Sequence, residues 1–173
     1  IYKLTINDYP GGAVAITISE GALIDTSSNR SDHKVINLPE KDRTKPTLKV
    51  QNNNYSDDSG QYTFEVVATD ETAIDTTRSN LAPNGSSKNI TVKCGNTTIV
   101  PSITSRNTSD GKSIIYTVTI SEYPGGTVSV AIDAGAIYDT TGNKSNSASF
   151  TLPAADVQKP QWADSAEFSY DEN

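Results

Sequence analysis

Acidic and amide side chains supply most of the groups in this chain that could do chemistry. Asp25 and Asn29 recur further on as Asp139 and Asn143, each time an Asp followed by an Asn four residues later. Oxygen donors grouped in loops are what a hard cation such as calcium binds. Calcium takes about six to eight oxygens, so two or three acids per loop need backbone carbonyls to complete a shell. Asp57, Asp58, Asp70, Glu71 and Asp75 place further acids around one apolar segment, and Asp42 and Asp156 occupy equivalent positions in two linkers. No EF-hand run accompanies them. The same residues also have a purely conformational reading, because Asp and Asn side chains close Asx turns on the backbone that follows them. Both readings are open at this point. Calcium is the one candidate cofactor; otherwise none is expected.

Catalytic chemistry has little to work with. A hydrolytic triad needs a nucleophile, a base and an orienting acid. The single histidine, His33, stands where the later copy of the same sequence has Ser147. The single cysteine, Cys94, has no neighbour in sequence that would lower its pKa, and it alternates with Ile90 and Val92 as a small buried hydrophobe would. There is no glycine-rich phosphate loop and no Cys/His spacing of the zinc type. The expectation is a protein that is not an enzyme.

Seven Asn-x-Ser/Thr sequons occur, at Asn29, Asn54, Asn84, Asn89, Asn96, Asn107 and Asn143. They fit N-glycosylation of an extracellular protein. A Ser-, Thr- and Asn-rich β-surface would also generate several of them, and Asn29 and Asn143 are one sequon carried by a repeat.

The elements that position these groups announce themselves through that repeat. Residues 1–48 align without a gap to 115–162, and 21 of the 48 positions are identical. Tyr9-Pro10-Gly11-Gly12 matches Tyr123-Pro124-Gly125-Gly126, Gly21-Ala22 matches Gly135-Ala136, and Lys45-Pro46 matches Lys159-Pro160. The unit therefore closes twice at Lys-Pro. Residues 1–46 read as the second half of one repeat, 47–160 as a complete repeat and 161–173 as the start of another. Half a sandwich cannot bury its own apolar face, so 1–46 is expected to be completed by further sequence or by strand addition from another chain.

Within 47–160 apolar residues alternate with period 2, as half-buried strands require. Tyr62, Phe64, Val66 and Ala68 share one face. Ile90, Val92 and Cys94 follow, then a short strand centred on Ile99 and ended by Pro101. Tyr116, Val118 and Ile120 come next, equivalent to Tyr2, Leu4 and Ile6. Val128, Val130 and Ile132 correspond to Val14, Ile16 and Ile18, and Phe150 and Leu152 close the unit. With a strand near Leu48 and Val50 this makes about seven strands and no sustained helical pattern. The predicted fold class is all-β, an immunoglobulin-like β-sandwich repeated in tandem. The Pro-Gly-Gly turns should join their flanking strands as hairpins, proline fixing φ and glycine accepting positive φ.

The run Tyr116-Thr-Val-Thr-Ile120, then Gly126-Thr-Val-Ser-Val-Ala-Ile-Asp-Ala-Gly-Ala136 and Asp139-Thr-Thr-Gly-Asn143, resembles the bacterial Ig-like tandem repeats of cell-surface and secreted proteins. The earlier copy keeps a weaker form, with Glu20-Gly-Ala22 and with Ser28 in place of the glycine. The resemblance covers the second half of each repeat; residues 50–114 match loosely. It implies a stalk, adhesin or coat protein whose modules are spacers or binding units.

Composition agrees with a wet, thin-cored protein. Hydrophobic residues make up 34% of the chain, and 14 basic against 21 acidic residues leave a formal charge of −7. Nucleic-acid binding needs clustered Lys and Arg, which are missing. No apolar run is long enough to span a bilayer, and the chain opens on a strand-like pattern rather than a signal peptide. One cysteine permits no intrachain disulfide. The expected function is a structural module of an extracellular rod, stalk, filament or coat, with neighbouring modules and copies of itself as partners. The alternative is an adhesin or a carbohydrate- or protein-binding module that uses loops or a sheet edge. Tyr55, Tyr138, Trp162 and Tyr170 are the aromatic residues a sugar site could draw on.

Overall fold

The computed structural model describes residues 3–9 and 11–160. Pro10, Trp162 and Tyr170 lie outside the described residues, as does the start of a further repeat over 161–173. The described chain is all-β. Ten strands run in order: β1 (Val14–Ile18), β2 (Lys34–Leu38), β3 (Thr47–Ser56), β4 (Gln61–Thr69), β5 (Ile90–Cys94), β6 (Thr97–Ile99), β7 (Ser102–Asn107), β8 (Ser113–Ile120), β9 (Val128–Ile132) and β10 (Ala148–Leu152).

From β3 onward the strands form two four-stranded antiparallel sheets, ordered β3-β4-β8-β7 and β10-β9-β5-β6. Their inward faces are the period-2 residues of the sequence. Phe64, Val66, Ala68, Tyr116, Val118 and Ile120 from the first sheet are within 1% of full burial, as are Ile90, Val92, Val128, Val130 and Ile132 from the second. These belong to one continuous core, a two-layer β-sandwich. Cys94 lies in that core, where burial pushes its thiol pKa up.

The strand count differs from the sequence reading by one. β7, Ser-Ile-Thr-Ser-Arg-Asn, is an edge strand, so only Ile103 of its six residues needs to face the core. Such a strand carries almost no apolar alternation to detect. β3 also runs further than Leu48 and Val50, through an irregularity between Gln51 and Asn54 at which Asn52 takes φ 54°.

The Pro-Gly-Gly hairpin is corrected by the structure. β8 and β9 do not pair; β8 lies between β4 and β7, and β9 lies between β5 and β10. Both edges of β8 are already occupied, so the chain must leave the sheet after Ile120. Pro124, Gly125 and Gly126 instead turn the corner from one sheet to the other, with both glycines at φ near 85°. Tyr123 pins this corner. Its N–H donates to Gly60 O at 3.0 Å, its hydroxyl donates to Gly126 O, and Ala155 N–H donates to that hydroxyl at 3.1 Å. Gly11 and Gly12 repeat the conformation, at φ 100° and 89°.

Residues 1–46 behave differently. Among the described residues of that segment only β1 and β2 form, as a separate two-stranded sheet pairing Val14 with Leu38 and Ile16 with Ile36. The strand expected over residues 2–6 is not present in the described part of that segment: Leu4 and Ile6 are 70% and 53% exposed. Their counterparts in β8 are held by two flanking strands, and no described strand plays that part here.

Candidate functional site

Asp25 and Asp139 are held in the same way. Asp25 Oδ1 accepts the N–H groups of Ser27 and Asn29 at 2.8 and 2.9 Å, and its Oδ2 accepts Asn29 Nδ2 at 2.9 Å. Asp139 Oδ1 accepts the N–H groups of Thr141 and Asn143 at 2.9 and 2.8 Å, and its Oδ2 accepts Asn143 Nδ2 at 2.7 Å. Each Asp-x-x-x-Asn motif therefore closes its own loop as the Asx-turn reading describes. The bonds from the Asn29 side chain and backbone hold the Asp25 carboxyl below its usual pKa. Burial pushes Asp139 up, and the bonds from Asn143 and Thr141 outweigh it, leaving the group below its usual range.

The two copies part company in what surrounds them. Asp25 is exposed, whereas Asp139 is fully buried. Around Asp139 the loop 136–145 docks on the loop that follows β4. Asp75 N–H donates to Tyr138 O, Thr140 N–H donates to Ala73 O, and Ser79 Oγ donates to Tyr138 O at 3.1 Å while accepting Tyr138 N–H at 2.9 Å. That docking brings the end of β4 and the preceding linker to the same place.

Three carboxylates meet there. One oxygen each from Asp42, Asp70 and Asp139 lies within 4.8 Å of the other two, the one such acidic cluster among the described residues. Asp42 comes from the linker, Asp70 from the residue after β4, and Asp139 from the loop between β9 and β10. Asp70 is 5% exposed. Its Oδ1 accepts Thr72 N–H at 3.0 Å, but its Oδ2 is buried with no hydrogen-bond partner.

Thr72 Oγ1 sits 2.9 Å from Asp70 Oδ1 and 3.0 Å from Asp42 Oδ2. A hydroxyl has one hydrogen, so it can donate to only one of the two. Asn143 Nδ2 similarly lies 2.7 Å from Asp139 Oδ2, 2.9 Å from Thr141 Oγ1 and 3.2 Å from Asp42 O, with two hydrogens for three acceptors. Two salt bridges among the described residues, Arg78 with Asp75 and Arg106 with Glu65, serve other carboxylates. A cleft lined by Glu40, Lys41, Asp42, Arg43, Glu71 and Thr72 opens beside the cluster.

The sequence had named all three acids, but only Asp139 as a candidate ligand, paired with its own Asn143. It missed their union because they come from a linker and two loops distant in the chain. The available signal was the recurrence of Asp42 as Asp156, at the same distance beyond Asp139 as Asp42 lies beyond Asp25.

Other candidates are more scattered. His33 is exposed, ahead of β2. Among the sequons, Asn29, Asn89 and Asn143 spend their side-chain N–H groups on Asp25, Asn80 O and Asp139. Asn54, Asn84, Asn96 and Asn107 are exposed and their amides are not committed in this way. Of the surface aromatics, Tyr55 packs on Tyr123 with ring centroids 5.6 Å apart, and the Tyr138 ring carries Arg78 at 4.3 Å, so neither offers a free platform. No helix among the described residues is long and apolar enough to cross a membrane.

No protein-family model matches the chain, and no curated protein matches it significantly.

Proposed function

We propose that this chain is a structural, non-enzymatic part of an extracellular surface protein, in which immunoglobulin-like modules of the bacterial Ig-like repeat type follow one another as a rod, stalk or self-assembled coat. The observation that carries this reading is the fixed join between the repeats. Pro46 is buried, Lys45 Nζ donates to Asn146 Oδ1 at 3.1 Å, Asn143 Nδ2 reaches Asp42 O, and Thr72 reaches Asp42 Oδ2. A linker tied at several points to the loops of the unit it enters gives neighbouring units a set angle, and proline stiffens it further. Stacking units at a set angle yields a rod.

The exposed apolar residues support the same reading. Of the nine exposed large hydrophobics among the described residues, seven (Leu4, Ile6, Leu23, Ile24, Val35, Ile36 and Leu38) belong to 1–46, and Val100 and Val157 belong to the complete repeat. Leu4, Ile6, Leu23 and Leu38 correspond to Val118, Ile120, Ile137 and Leu152, which are buried in the core of the complete repeat, so a segment like 47–114 would cover them in an array. Partners are then neighbouring modules and further copies of the same protein.

Electron microscopy of the native protein tests this. Rods or fibres with a regular axial spacing are expected. Beads joined by freely bending linkers would overturn the rod, and the adhesin or binding-module reading would take its place.

A further inference from the structure

We infer that Asp42, Asp70 and Asp139 form a calcium site that clamps the linker onto the module it enters. Three features of the junction converge on a cation. Three carboxylate oxygens gather within 4.8 Å of one another. The Oδ2 of Asp70, a residue 95% buried by its 5% exposure, has no protein partner. The hydroxyl of Thr72 stands between Asp70 Oδ1 and Asp42 Oδ2 with a single hydrogen for both. A buried, unpartnered carboxylate oxygen beside two more carboxylates is costly unless positive charge joins them.

The chemistry selects a hard ion. All donors are oxygens, and neither the histidine nor the cysteine of this chain is among them. Oxygens bound to one calcium at about 2.3–2.6 Å can stand up to about 5 Å apart, so the three acids can reach one ion as placed. Three carboxylates supply only part of the shell, so backbone carbonyls or water must complete it, and the cleft opens on the Asp42 side of the cluster. The acids come from three separate stretches of chain, so an ion among them ties linker to sandwich rather than closing a loop. Asp139 remains locked by Asn143 and serves as the fixed wall of the site, while Asp42 is the ligand that the linker brings.

The repeat extends the proposal. Asp156 stands where Asp42 does and Asp25 stands where Asp139 does. In an array, every junction would draw one ligand from the linker and two from the module that follows.

The test is calcium titration of the whole chain after treatment with EDTA, by calorimetry and by thermal melting. Binding of one ion per chain is expected, with a dissociation constant of about 10⁻³ M or tighter, as extracellular modules show. Melting should move upward with calcium, since a ligand of the folded state stabilises it. Asp70→Asn and Asp42→Asn are each expected to weaken binding at least about tenfold, while Asp58→Asn, an exposed acid outside the cluster, leaves it unchanged. Asp42 lies outside the sandwich, so Asp42→Asn carries the test if Asp70→Asn does not fold. No binding up to about 10 mM calcium, or binding undiminished in Asp42→Asn, overturns the site. A melting temperature that does not respond to calcium overturns it as well. The tie to rod stiffness rests on the proposed function, but the site does not: loss of the rod would leave calcium binding in place, and loss of calcium binding would leave the rod.

Discussion

The same stretch of sequence occurs twice in this molecule, over 1–46 and 115–160, and ends in two different states. Val128, Val130 and Ile132 are buried to 1% or less, whereas Val14, Ile16 and Ile18 on β1 are only half-buried. Ile137 is fully buried and its counterpart Leu23 is 49% exposed. What differs is company. The later copy has β3 to β7 to pack against, and the earlier copy has, among the described residues, its own two strands. Hairpins of two strands are marginal by themselves, because one face has nothing to bury. Secondary structure in this repeat is therefore set locally for the turns and the β9-type hairpin, while the β8-type strand exists only where a sheet receives it.

Matched substitutions in the two copies sharpen the contrast. The unfolding of the sandwich can be followed through its buried tyrosines, Tyr62 and Tyr116. Ile132→Ala should cost about 2–5 kcal/mol in denaturant unfolding, the range for emptying a packed aliphatic site. Ile18→Ala, at the matched position, should leave that transition where it was. Equal effects would mean that the two copies share one cooperative unit.

Asp139→Ala in EDTA should destabilise by about 2–3 kcal/mol, since it orphans the half-buried amide groups of the loop it closes. Asp25→Ala should not move the transition, because its loop is solvated and outside the sandwich. A comparable loss from both would show that the loop closure, rather than its burial, sets the energy.

Gly126→Ala is expected to cost about 1–2 kcal/mol, because φ is +85° and an added Cβ has a strained backbone to sit on. Gly12→Ala has the same positive φ but nothing within 4 Å, and only the local turn should respond, visible as broadened NMR signals near Tyr9. Smallest of all is Tyr116→Phe. The Tyr116 hydroxyl is buried with no partner, and burial pushes its pKa up. Removing an unsatisfied hydroxyl should leave stability within about 1 kcal/mol of the parent or raise it. A loss well beyond that in thermal unfolding would reveal a hydrogen bond made through water.

Much of the sandwich was legible because its causes are local. Period-2 alternation placed β4, β5, β8, β9 and β10, and the inward residues Tyr62, Phe64, Val66, Ile90, Val92 and Cys94 followed from it. The Asp-x-x-x-Asn loops were legible for the same reason, since the bonds that close them span four residues. β7 was not, because an edge strand with one inward side chain leaves no pattern. The partner of each strand was not legible either: Tyr-Pro-Gly-Gly specifies a turn, and whether the turn joins neighbours or crosses between sheets depends on which edges are already filled.

By itself the sequence determined the repeat, the all-β character and the turn chemistry, because each depends on patterns that the chain itself carries. Tertiary structure alone decided that matched segments of the repeat differ in burial, that β8 and β9 lie in different sheets, and that Asp42, Asp70 and Asp139 share one place. Those outcomes depend on contacts between distant segments, where apolar burial and the satisfaction of polar groups are settled together, and no local pattern encodes them.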